Sequence, residues 1–198
     1  MPRDTRTITP ADIMPLEQFE TIRPEKRQDN LLRKRFRRMP IGPHATIIFE
    51  NWDSMWWQVQ EMLRVEKGGA EQLADELAAY NPMIPQGEEL TATLFFEMDD
   101  PIKRNAFLAQ LGGVEAHIFI QLGATRIGAL PEGDVERTNA AGKASAVHFL
   151  HFPFTRAQIA RWREGAEAIM VGIDHPAYGH IAMINADVRG ELASDFAA

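Results

Sequence analysis

Apolar residues between positions 52 and 63 fall at Trp52, Met55, Trp56, Val59, Met62 and Leu63, spacings of three and four that stripe one side of a helix. Asp53 is the expected N-cap of that helix, because a short carboxylate accepts the free amide protons of a first turn. Three tryptophans in so short a stretch (Trp52, Trp56, Trp57) mean that something packs against it. The preceding residues, His44 to Phe49, read as a strand, and Glu50-Asn51 forms the corner between the two. Gly68-Gly69 breaks the pattern. A second helix is expected from about Ala70 to Tyr80, stopped by Asn81-Pro82 and Pro85.

Upstream, Thr9-Pro10-Ala11-Asp12 and Leu16–Ile22 give two short helical signals, and Pro24 opens a longer helix that Met39-Pro40 ends. Downstream, Leu90–Met98 reads as a strand, and Asp99-Asp100-Pro101 caps a helix to about Gln110. Ala116–Leu122 and Thr125–Leu130 form a hairpin across Gly123-Ala124. A polar loop over 131–145 follows, then a strand at Ala146–Phe152 and a helix capped by Thr155. Strands at Ala168–Ile173 and His180–Ile184 flank a turn, and a short helix closes the chain. Strands that follow one another, or a single short helix, predict an α+β fold with an antiparallel-rich sheet covered by helices. One domain spans 1–198, with 1–38 as a helical arm on a 39–198 body.

Composition narrows the function classes. The chain contains no cysteine, which excludes disulfides, a thiol nucleophile, thiolate zinc and Cys-ligated iron–sulfur clusters. No apolar run approaches the ~18 residues of a membrane span, and no secretory signal is visible, so a cytoplasmic address is expected. Charge is divided. Residues 1–38 carry ten Lys/Arg against six Asp/Glu (net +4), and residues 39–198 carry eleven against twenty-two (net −11). An acidic body disfavours nucleic acid, whereas a basic arm suits an acidic protein surface.

Five stretches carry a family resemblance: ITPADIMPLEQFETIRPEKR, FENWDSMWWQVQEMLRVEK, ELAAYNPMIPQGEELTATLFFE, KASAVHFLHFPFT and IDHPAY. Together they resemble the bacterial family called domain of unknown function 3501, in order and over nearly the whole chain. The resemblance implies a single-domain protein with no assigned reaction. It also implies a setting near peroxide or redox metabolism, since genes of the family often lie beside those for a rubrerythrin-like protein and an iron–sulfur oxidoreductase.

Candidate chemistry is sparse. No phosphate-cradling glycine motif, nucleotide fingerprint or nucleophile elbow is present. His148 and His151 sit on one strand and point to opposite sides, which suits hydrogen-bonded core histidines. Asp174, His175 and His180 flank a turn with metal-ligand spacing, an N/O set for a divalent metal; the plainer reading is a turn that Asp174 caps and Pro176 fixes. Asp99-Asp100 reads as a cap, while Glu132, Asp134 and Glu136 fail the calcium-loop pattern. In the basic helix, Arg33, Lys34, Arg35, Arg37 and Arg38 surround a thin stripe of Leu32 and Phe36. They either grip an acidic partner or pair with the body's own carboxylates. Trp57 lies toward the polar flank of its helix, either as an interface aromatic does or as part of a wide buried face. The expected function is a non-enzymatic accessory protein that docks a redox partner through this arm and Trp57, with no resident cofactor. The alternative is a small metal-binding protein or metalloenzyme built on Asp174, His175 and His180. A homo-oligomer is open under either reading.

Overall fold

The computed structural model describes residues 5–133 and 143–197, so most of the polar loop expected over 131–145 lies outside the described residues. Two antiparallel sheets form the centre. In the first, β1 (Arg38–Ile41), β2 (Ala45–Phe49), β3 (Glu89–Phe96), β7 (Val147–Pro153) and β6 (Leu130–Pro131) lie side by side in that order. The second runs β5 (Thr125–Gly128), β4 (Ile118–Leu122), β8 (Ile169–His175), β9 (Tyr178–Met183). The expected single sheet is therefore divided, and the fold class is α+β. The division happens at Ala129. After pairing with β4 as β5, the chain crosses one residue and joins β7 as β6.

Period-two alternation decides which side chains meet between the sheets. Ala45, Ile47 and Phe49 of β2 turn inward, as do His148, Leu150 and Phe152 of β7. They meet Ile120 and Leu122 of β4 and Val171 and Ile173 of β8 in one apolar core. Phe149, on the opposite side of β7, packs against a second cluster made by Phe19, Met55, Trp56, Val59 and Leu77. Helices α1 (Leu16–Arg37), α2 (Trp52–Glu66) and α3 (Gly69–Tyr80) thus cover the other face of the first sheet. The smaller helices are α4 (Pro101–Leu108), α5 (Arg156–Glu164) and α6 (Ala186–Leu192).

Three local expectations change. The two helices expected either side of Pro24 are one, α1, with Pro24 inside it. Proline deletes one backbone hydrogen bond there. The turn is held from outside by Arg64 on Glu20 and Arg23 on Glu61, each at 2.7 Å. Where Met39-Pro40 ends the helix, the chain enters β1 directly; this is an edge strand, where a proline costs the ladder little. Gly42, at φ +72°, lets the β1–β2 turn settle on Tyr178 and His180, where a Cβ would collide with the His180 ring and the Tyr178 hydroxyl. The Tyr178 hydroxyl fixes that turn by donating to Ile41 O and accepting from the amides of His44 and Ala45.

Candidate functional site

The tryptophan helix begins one turn corner earlier than expected. Asn51, not Asp53, is the N-cap: its Oδ1 accepts from Ser54 N at 3.0 Å while Ser54 Oγ accepts from Asn51 N at 2.9 Å. This reciprocal cap leaves Asp53 free of capping duty. It also sets the helical phase so that Trp52 and Trp56, four apart, stack nearly parallel at 6.3 Å. Their ring N–H groups are used to hold the N-terminal segment down. Trp52 Nε1 donates to Thr7 O and Trp56 Nε1 to Asp12 O. Trp57 lies against Phe19 with ring centroids 5.7 Å apart.

Opposite these rings, α1 presents Lys26, Asp29, Asn30 and Arg33, whose spacing of three, four and seven puts them on one face. The two helices and the Asp12–Met14 segment enclose a groove of about 400 Å³, lined by Trp52, Trp56, Trp57 and Asp53 as well as that α1 face. Lys26 bridges Asp29 at 3.2 Å and Arg33 bridges Asp53 at 3.5 Å. Asn30 is different. It is only 7% exposed, its Oδ1 is buried, and its side-chain amide has no hydrogen-bond partner among the described residues. A buried amide left unpaired costs about 1–3 kcal/mol. A second, more polar cavity of about 300 Å³ shares Arg33, Trp52 and Asp53 and extends to Arg6, Glu191 and Asp195.

The arm expected to dock a partner separates into distinct roles. Arg33 and Trp57 come together in the groove. Arg37 is a correction: it is 1% exposed and cannot meet a partner. Its guanidinium forks onto Asp195 at 2.8 and 2.9 Å, reaches Glu191 at 2.8 Å, and donates to Glu50 O. Burial opposes its charge, but the two carboxylates more than offset that and hold its pKa above the usual value. Arg38 pairs with Glu97 on β3's end, and Lys34 acts as a positive charge near Glu50. Arg35 is exposed, beside the Phe36 ring. Glu50 itself is buried. Burial pushes its carboxyl pKa up, against hydrogen bonds from Ser54 and Thr93 and the charges of Lys34 and Arg37.

The histidine turn does not assemble as a cluster. Asp174 meets Arg126 and His117, the His175 ring lies 5.0 Å from the His117 ring, and His180 lies apart against the Tyr178 ring, so among the described residues the three do not converge as a metal-ligand set. Asp174 is held below the usual carboxylate range, first by its hydrogen bond from Arg126 and then by His117. His148 is the buried core histidine expected, with Nε2 2.9 Å from Ser145 O. His151 is more than that. Glu89 lies 2.9 Å from Nδ1 and Glu132 2.6 Å from Nε2, and the Glu89 hydrogen bond, opposed by burial and aided by Glu132, raises its pKa.

Sequence reasoning missed Asn30, Lys26 and Asp29 as site residues. The available signal was their shared helical face and an asparagine in a helix interior, where it needs a reason.

No curated protein matches this chain. A crystal structure of a novel protein of unknown function from Burkholderia pseudomallei K96243 is 34% identical, with a TM-score of 0.89 over 96% of this chain and 100% of that one. The family profile described as "Protein of unknown function (DUF3501)" matches residues 7–196, and the chain belongs to that family.

Proposed function

We propose that the protein is an accessory binding protein, and that the groove between α1 and α2 receives a segment of a protein partner. The observation that carries this reading is the unpaired Asn30 amide in the wall of a tryptophan-lined groove. An incoming backbone or side chain gives that amide the partner it lacks. The indole surfaces supply apolar area of the kind that dominates interface energetics. Arg33 is already paired with Asp53 across the groove and Lys26 with Asp29 along α1, so they offer orientation at its rim without leaving a naked charge. A redox protein of the rubrerythrin or iron–sulfur oxidoreductase kind is the partner that the family setting suggests.

The test is capture from a nuclease-treated native extract on immobilised protein, compared with Asn30→Leu and Trp57→Ala. The partner's yield is expected to fall by at least about tenfold for both, the effect of losing one central contact. Arg156→Ala, at an exposed pair with Glu88 remote from the groove, should leave it unchanged. Because Asn30→Leu removes an unpaired buried amide, its melting temperature should hold or rise while binding is lost. Equal capture by wild type and both groove variants would contradict the proposal.

A further inference from the structure

A third, apolar cleft opens further along α2. It has about 440 Å³ and is walled by Met14, Pro15, Leu16, Leu63 and Leu73. Met14 lines both this cleft and the tryptophan groove. Two features make it more than an apolar depression. One lies in its wall. Gln60 is 2% exposed, its Nε2 is buried, and its amide has no hydrogen-bond partner among the described residues. The other lies at the end where α2 gives way to α3. Lys67 is exposed there, and Gly69 and Ala70, the first residues of α3, line the cleft. The first amide protons of a helix have no partner within it; Gly68 at the N-cap has no side chain to cover them, and Gln72 Oε1 takes only the Gly68 N–H, at 2.7 Å. An ammonium beside an uncovered helix N-terminus is suited to an anion. Glu66 and Glu71 are also near this end; neither lines the cleft, and Glu66 accepts from Gln72.

We propose that this cleft captures the C-terminal tail of a partner polypeptide with apolar last residues. The inference goes beyond the docking reading, on which it rests for the existence of a partner, by giving that partner's chain end a site of its own. Gln60 and Leu63 lie on one face of α2, Lys67 is its left-handed C-cap, and seven residues at 1.5 Å each put the Lys67 backbone ~10 Å along the axis from that of Gln60. An extended chain covers that span in ~3 residues. The α-carboxylate therefore meets Lys67 and the α3 amides, the last side chains enter between Leu63 and Leu73, and a peptide group upstream pairs with the Gln60 amide. A peptide group matches a primary amide in both donor and acceptor, so it satisfies Gln60 whichever way that side chain is turned. A free acyl chain has no group for Gln60 at that distance, which is why the occupant is a peptide.

The experiment uses the full chain and a fluorescein-labelled peptide, Ala-Ala-Leu-Leu with a free C-terminus, read by polarisation. The free acid is expected to bind at least about tenfold tighter than the same peptide ending in a carboxamide, since charge-assisted hydrogen bonds to the carboxylate are lost. Lys67→Glu, a change at an exposed position, should erase that preference, and Gln60→Leu should weaken binding of the free acid with the melting temperature maintained. Asn30→Leu should leave peptide binding intact, so loss of partner capture in that variant and loss of tail binding in Lys67→Glu report on separate sites. Equal binding of acid and amide, or no binding of either, overturns the proposal. So does unchanged acid preference in Lys67→Glu.

Discussion

Among six consecutive residues from Arg33 to Arg38, five are basic, and their fates differ by burial alone. Arg37 is enclosed with Asp195, so Arg37→Ala leaves a buried carboxylate uncompensated. The expected cost is about 3–5 kcal/mol in urea unfolding. Arg35→Ala, at an exposed position, should stay within about 0.5 kcal/mol. Similar values for the two would remove the distinction. Glu50 makes the opposite prediction. Its folded pKa lies above its unfolded one, so the protonated form favours the fold. Stability is full below the unfolded pKa and declines as pH rises toward the folded one. Gln cannot ionise and still accepts from Thr93, so Glu50→Gln should match wild type near ~pH 4 and melt higher near ~pH 7. A gap that does not widen with pH would count against it. None of this was legible in the sequence: Arg33, Arg35 and Arg37 are alike there, and Asp195 lies 158 residues from its guanidinium.

At the scale of elements, the strongly patterned pieces were readable. The spacing of Met55, Trp56, Val59 and Leu63 located α2, and the Asp100 cap before Pro101 located α4, where Oδ1 accepts from Ile102 N and Lys103 N. Two kinds of misreading have clear causes. Pro24 in sequence suits the opening of a helix, yet α1 runs through it, flanked by tertiary ion pairs at Glu20 and Arg23. Asp53 was given the cap because its type suits one, whereas Asn51 and Ser54 satisfy two donors at once. Pairing across strands is not visible locally at all. His151 bonds Glu89, 62 residues away, and Glu132 beside β6, so it ties β3 and β7 to the chain that follows β6. Its folded pKa is raised, so the clamp contributes fully below the unfolded histidine value of about 6.5 and is lost as pH rises through the folded value. Wild type should therefore lose stability on the alkaline side of neutrality, and His151→Gln should flatten that slope in urea titrations. Parallel slopes would argue that the clamp adds nothing.

The whole molecule stacks helices α1–α3, one five-stranded sheet and one four-stranded sheet, and among the described residues no helix is long and apolar enough to cross a membrane. Both clefts lie in the helical layer and share Met14 in their walls. The uneven charge along the sequence pointed toward the arm, but as a cationic surface. Folding pairs most of its described arginines with the body: Arg23 with Glu61, Arg33 with Asp53, Arg37 with Asp195 and Arg38 with Glu97. What remains distinctive is an unpaired amide in the wall of a tryptophan-lined groove, which only the packed helices create. Amide hydrogen exchange on the protein with and without its captured partner tests that claim most directly. Binding in the groove predicts slowed exchange in the Lys26–Arg33 and Trp52–Trp57 segments, with β8 and β9 unchanged. Protection confined to the sheets, with both helical segments exchanging as in the free protein, would contradict it.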